Sequence, residues 1–267
     1  IILDVVVNHT GYQHPWLKDP EKADWFHEDR PILNWNNQEE VEYGRLAGLP
    51  DLAQENPEVK DYLIEMAKWW IEETDVDGFR LDTVKHVPKW FWEEFVKEVK
   101  SVKEDFFLIG EVWHNDAQYV ASYAVTGIDS FVDYPFYNIG TAIFNAPNQS
   151  IGKMHAVWKR NEVLYENPYV LGNFLDNHDN PRISRLALER GEDPVTRWKM
   201  GLAYMYTAPG IPIVYYGTEI AMDGGNDPDN RRMMEFVDHE LVDYISKLAE
   251  IRHEYPSLRR GEFEFLV

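Results

Sequence analysis

An α/β fold built on part of a (β/α)8 barrel is predicted by three observations. Strand-like and helix-like runs alternate along the 267 residues, the order expected of βαβ units around a parallel sheet. Four of the strand-like runs end in polar side chains, at residues 4–9 (Asp-Val-Val-Val-Asn-His), 78–86, 110–112 and 174–179. Within the second, Arg80 and Asp82 are two apart and point to the same face of the strand. Functional side chains at the ends of successive parallel strands mark the active face of such a barrel.

The elements follow in order. Six strand-like runs cover residues 2–7, 77–82, 106–110, 129–133, 169–175 and 211–216. The stretch between the first two, residues 10–53, is rich in Trp, Asn, Asp, Glu and Pro, and a connection of that length inside a compact domain is usually functional. Asn56-Pro57 then opens a helix, with Asn as N-cap and Pro in the first turn, running to about Thr74. Further helices are expected over 88–103, 115–125, 150–165, 194–206 and 238–254, with Pro88 and Pro194 at starts that tolerate proline. The paired Trp69-Trp70 falls mid-helix, where aromatic pairs are most often packing. The chain opens inside a strand and closes on the alternating run 261–267, so a fragment is expected.

Composition narrows the function. Hydrophobic content of 44% and aromatic content of 14% suffice for a large core. A formal net charge of −21 argues against nucleic acid and anionic membrane as partners and leaves a neutral polysaccharide unaffected. No cysteine means no disulfide, thiol catalysis or thiolate metal site. No apolar run is long enough to span a bilayer. Three strand ends supply the carboxylates Asp82, Glu111 and Asp179. Glycoside hydrolysis needs such a set: a carboxylate nucleophile and a separate acid that protonates the leaving oxygen.

These four blocks, together with Leu49-Pro-Asp-Leu52 and Gly210-Ile-Pro-Ile-Val-Tyr-Tyr-Gly-Thr-Glu219, resemble the α-amylase family, glycoside hydrolase family 13, across nearly the whole chain. The resemblance implies that the six strands are the third to eighth of the barrel, the first two being absent. It implies a barrel over 1–9 and 54–258, a small domain B over 10–53 inserted after the third strand, and the start of a truncated C-terminal β domain over 259–267. Asp82 becomes the nucleophile of a retaining reaction. Glu111 becomes the general acid and then base, with a pKa raised by neighbouring carboxylates. Asp179 stabilises the positive charge developing on the sugar.

Arg80 would hold the nucleophile ionised and oriented, with Asp4 as its buried partner. His9 and His178 resemble the two histidines that bind glucose in the cleaved subsite, and Lys85 and His86 those that bind sugar on the leaving-group side. By the same resemblance a calcium ion would lie between Asn8, Asp51 and the His86 carbonyl, a ligand set of the oxygen type calcium takes. The stretch 223–230 (Asp-Gly-Gly-Asn-Asp-Pro-Asp-Asn) lacks the EF-hand pattern and reads as a turn lining the cleft.

The activity implied is retaining endo-hydrolysis of α-1,4-glucosidic bonds in starch and related α-glucans. Glu111-Val-Trp-His114 resembles instead the cyclomaltodextrinase type, which keeps cyclomaltodextrinase, maltogenic amylase and cyclodextrin glucanotransferase as alternatives. Lys85-His86, Asp51 and the run 177–182 favour α-amylase. A third reading is an inactive homologue serving as a binding or transporter subunit, against which the three acids count. The whole enzyme is expected to be a secreted monomer, and this piece alone to be inactive.

Overall fold

The structure is a computed structural model describing residues 1–266. It divides into two compact units, Ile1–Trp113 with Tyr119–Phe131, and His114–Gln118 with Val132 onward. The first holds a four-stranded parallel sheet in the order β1-β2-β3-β4. In chain order it runs β1 (Ile2–Val5), α1 (Gln38–Tyr43), α2 (Pro57–Thr74), β2 (Gly78–Leu81), α3 (Lys89–Val102), β3 (Phe107–Gly110) and β4 (Ser130–Phe131), with a short helix α4 (Ala117–Ala121) between the last two strands.

The register sets Asp4 beside Arg80 and Arg80 beside Ile109, so the polar ends of β1 to β3 lie level. Alternation then does the sorting: Phe79 and Leu81 are fully buried on one face of β2, while Arg80 and Asp82 take the other. Gly78 is required where β2 meets β3, because a Cβ there would collide with the Phe107 carbonyl. Helix α3 buries Phe91, Trp92, Phe95, Val96 and Val99, each worth about 1.5–3 kcal/mol when fully buried. The Trp92 indole also donates to the Val84 carbonyl at 2.9 Å, which ties the helix to the turn after Asp82.

The second unit continues with α5 (Tyr134–Phe144), α6 (Gly152–Leu164), β5 (Gly172–Asn173), α7 (Ile183–Leu188), α8 (Pro194–Thr207), β6 (Ile211–Pro212), α9 (Glu240–Glu254) and α10 (Ser257–Arg260). β5 and β6 pair in parallel, and Val132 bridges to Gly172. Leu175, Trp198, Leu202 and Met205 form the centre of its core, and the Trp198 indole donates to the Thr218 carbonyl at 3.0 Å. Among the described residues no helix is long and apolar enough to cross a membrane.

Several expectations need correcting. The strands are shorter than their apolar runs, most of all β5 and β6, where Pro212 offers no N–H to a ladder. Helix α5 was not anticipated: its aromatic sequence reads as strand, yet Asp133 caps it by accepting from Phe136 N at 2.9 Å, with proline in the first turn. Helices α1 and α7 were missed as well, and the expected helix 115–125 is broken into α4 and a 3-10 turn. Residues 261–266 form no strand. Their alternation serves ring packing, Phe265 on His155 and Phe263 on Trp158. Val267, the end of that expected strand, lies outside the described residues. Trp69 and Trp70 are 51% and 39% exposed and pack edge-on against each other, not into the core.

Candidate active site

One guanidinium organises the first unit's strand ends. Arg80 contacts Asp82 through Nη1, Asp4 through the same nitrogen at 3.0 Å, and Glu111 through Nη2 at 2.9 Å. Its side chain is 18% exposed, so these contacts form in a poorly solvated place and are correspondingly strong. Three carboxylates against one cation leave an excess of negative charge. Such a site favours a developing positive charge. Glu111 thus meets a cation as well as the carboxylates expected around it. Asp4 is a partner of Arg80 as expected, but it is 57% exposed rather than buried, because β1 is the outermost strand of its sheet.

The backbone after the nucleophile candidate is strained. Thr83 adopts φ 51°, a left-handed conformation that costs a β-branched residue of order 1–3 kcal/mol. The turn is held by Thr83 N donating to Glu111 Oε2 at 3.3 Å and Val84 N donating to the Glu111 carbonyl at 2.9 Å. Asp82 and Glu111 are therefore fixed to each other by backbone as well as by Arg80. His9 stands near Asp82; burial lowers its pKa although the Asp82 charge opposes this, so its ring is neutral at neutral pH.

The next two candidates sit in the turn Val84–His86, against the segment 35–41. Lys85 Nζ donates to the Trp113 carbonyl at 2.8 Å and lies 5.4 Å from the Trp35 ring; burial lowers its pKa. His86 is 3% exposed and its Nδ1 meets the Val41 carbonyl at 3.0 Å. Burial, then the Lys85 charge, push it down to about 4, so it too is neutral. Gln38 of α1 donates to the Lys85 carbonyl at 3.0 Å.

Asn8 and Asp51 are brought together by pairing of their own segments: His9 bridges to Asp51, and Leu52 N donates to the Asn8 carbonyl at 2.8 Å. Both side chains are 1% exposed. Asp51 Oδ2 meets His27 Nδ1 at 2.6 Å, and the other His27 nitrogen meets Glu55 at 2.9 Å. Burial disfavours the charged His27 ring, but hydrogen bonds to Asp51 and Glu55 outweigh it and raise its pKa. Asn8 Oδ1 and Asp51 Oδ1 are buried acceptors without a hydrogen-bond partner among the described residues. Buried acceptors facing no donor are what a hard cation would satisfy. The set is an amide, one carboxylate and a backbone carbonyl; no group of three or more His, Asp and Glu side chains among the described residues is placed to hold a metal.

In the second unit Asp179 sits in the loop after β5. Its N–H donates to Asn177 Oδ1 at 3.0 Å, and its carboxylate meets Arg231 at 3.1 Å and His178 Nε2 at 3.1 Å. Arg231, which sequence reasoning did not single out, also pairs with Asp227 at 2.7 Å. The signal for it was the turn 223–230 just before it. Asp176, three residues before Asp179, is a structural anchor: it accepts from the Thr218 hydroxyl at 3.1 Å and from Ile183 N, and burial pushes it up to about 6.

Residues 1–253 match the alpha-amylase catalytic domain. This chain belongs to that family. Its α/β fold is accordingly part of the family's barrel. A crystallised Anoxybacillus alpha-amylase is 66% identical and superposes with a TM-score of 0.98, covering 100% of this chain and 59% of that one. The alpha-amylase of Geobacillus thermoleovorans, solved with acarbose, is 58% identical with a TM-score of 0.98, over 100% of this chain and 60% of that one. The maltogenic alpha-amylase of Bacillus acidopullulyticus is 34% identical over 100% of this chain and 47% of its own length. The chain thus spans about half the length of such relatives. The expectation of secretion is overturned: the Bacillus subtilis relative at 31% identity, aligned over 99% of this chain and 46% of its own, is named an intracellular maltogenic amylase.

Proposed function

We propose that the whole protein hydrolyses α-1,4-glucosidic bonds in starch and related α-glucans with retention. The observation that carries this is the single Arg80 guanidinium joined to both Asp82 and Glu111. A retaining glycosidase needs a nucleophile and an acid held close together, and one shared cation on two strand ends achieves that. Asp82 attacks the anomeric carbon while Glu111 protonates the departing oxygen. Water, deprotonated by Glu111, then cleaves the glycosyl–Asp82 ester. Asp179 stabilises the oxocarbenium-like transition state and grips the ring hydroxyls. His9 and His178 would bind the same sugar through their ring nitrogens; Lys85 and His86 would bind on the leaving-group side.

Two α-amylases at 66% and 58% identity support the endo-acting reading. Cyclomaltodextrin hydrolysis is the second reading, supported by cyclomaltodextrinases 32% identical over the whole chain. Assays of the full-length protein on starch, cyclodextrin and pullulan in parallel separate the two. Starch cleaved much faster than cyclodextrin supports the first; the reverse order supports the second. Calcium belongs to this proposal: Asn8, Asp51 and the His86 carbonyl would hold it, and its role would be to fasten residues 8–9 and 51–52 to the turn after Asp82. It would supply charge and rigidity there and would take no part in bond cleavage.

A further inference from the structure

We propose that Asn230 is a positioning residue for Asp179: its side-chain amide clamps the two peptide carbonyls that flank the carboxylate. The inference rests on the catalytic role proposed for Asp179.

Asn230 is fully buried. Its Nδ2 lies 2.8 Å from the His178 carbonyl and 2.9 Å from the Asn180 carbonyl, with the Asn177 carbonyl at 3.5 Å. Carbonyls only accept, so the amide nitrogen must face them, and its two hydrogens go one to each side of Asp179. Two further ties reach the loop: Arg231 Nε donates to the His178 carbonyl at 2.9 Å, and Asn177 Nδ2 to the Tyr134 hydroxyl at 3.5 Å. Asn177 Oδ1 accepts from Asp179 N and from Asn180 Nδ2 at 2.7 Å, which curls the loop on itself without anchoring it to the fold.

The anchor comes through Asn230. Its own carbonyl accepts from Arg182 Nε at 3.0 Å, and Arg182 is itself fully buried, stacked 4.0 Å from the Tyr215 ring. Arg182 N donates in turn to the Gly224 carbonyl at 2.9 Å. The chain of contacts therefore runs from the buried Arg182, through the turn 223–230, to the backbone on both sides of Asp179. Arg231 touches Asp179 directly, but it is 44% exposed, so water competes for its donors. The buried neutral amide is the firmer hold, because nothing in solvent competes for its hydrogens.

A loop that loses this clamp would let Asp179 drift, and a misplacement near 1 Å can cost about 100-fold in rate. The test uses the full-length protein and a nitrophenyl maltooligosaccharide, with four variants: Asn230→Ala, Asn230→Ser, Asp179→Ala and the Asn230→Ala/Asp179→Ala pair. Folded fraction is measured by circular dichroism, and rates are corrected for it. The expected result is a kcat lowered about 100-fold by Asn230→Ala with KM within about threefold. Asn230→Ser, which keeps one donor, should fall between it and wild type. In the Asp179→Ala background the same substitution should cost less than about threefold, since there is no carboxylate left to place.

An undiminished corrected kcat in Asn230→Ala overturns the proposal. So does an equal loss with and without Asp179, which would make Asn230 act elsewhere. If Asn230→Ala does not fold, Asn230→Ser carries the same cycle; loss of activity only in step with folded fraction makes the residue structural and again overturns it. Near-normal turnover by Asp179→Ala would instead sink the catalytic reading of Asp179 itself, a separate outcome.

Discussion

The two units hold their carboxylates by different physics. In the first, Asp82 and Glu111 share a cation that is 18% exposed, and charge meets charge at 2.9 Å. In the second, the charged group that meets Asp179 is the half-exposed Arg231, the His178 ring lies beside it, and its loop is held by the neutral Asn230 amide. The difference follows from where each acid sits. Asp82 and Glu111 extend strands whose register already aligns them, so one guanidinium suffices to join them. Asp179 follows a two-residue strand and must be supported by a turn some fifty residues later. A paired sheet positions through its ladder; a loop positions only through what is packed against it.

The sharpest way to break this comparison is to remove charge from the first unit. In the full-length protein Asp82→Asn should lower kcat by about four orders of magnitude or more, with folding intact. Starch assays and circular dichroism check it, and Glu111→Gln should behave alike. Removing the cations comes next. Arg80→Ala should cost about 100- to 1,000-fold in kcat, as loss of a buried electrostatic group does. Arg231→Ala, which removes partly exposed ion pairs to Asp179 and Asp227, should cost no more than about fivefold. Equal losses for the two arginines would erase the distinction between the units.

A third test asks what happens to a carboxylate with no cation. Asp133 is buried with Phe136 N and Asn161 Nδ2 as its hydrogen-bond donors, and burial pushes it up to about 6 from 3.8. The folded state therefore keeps the proton longer than the unfolded one. The stability this provides is full below about pH 4, is lost as pH rises, and levels off above about 6. Relative to Asp133→Asn, the wild type should lose up to about 3 kcal/mol between pH 4 and pH 7. Denaturant melts at several pH values measure it, and a flat difference would contradict the assignment. The smallest effect is the metal's. If the proposed site holds calcium, the ion at about 100 times its dissociation constant would add about 2.7 kcal/mol to the native state, so a chelator should lower the melting temperature by about 5 °C and added calcium should restore it. No change in the wild type would return Asp51 to a turn residue.

The same contrast governs what could be read from the sequence. Arg80 and Asp82 were legible as a pair because two residues of strand put both on one face, and the helix opened by Asn56-Pro57 because cap and proline are local signals. Helix α5 was not legible: Tyr134, Phe136 and Tyr137 prefer strands, and only the tertiary cap at Asp133 with Asn161 decides otherwise. Exposure was misread at Asp4, since it depends on what lies beside an element, not on the element itself. Asn230 had no local signature at all. Its meaning lies in the three carbonyls it faces, and those are fifty residues away.

The central claim is that Asp82 is the nucleophile of a retaining reaction in which Glu111 is the acid. Trapping the intermediate tests it most directly. The full-length protein would be incubated with a fluorinated glucosyl substrate whose intermediate turns over slowly, then digested and mapped by mass spectrometry. One glycosyl adduct is expected, on the peptide containing Asp82, together with hydrolysis products released first as the α-anomer. An adduct on Glu111 or Asp179, or no adduct with β-configured product, would contradict it.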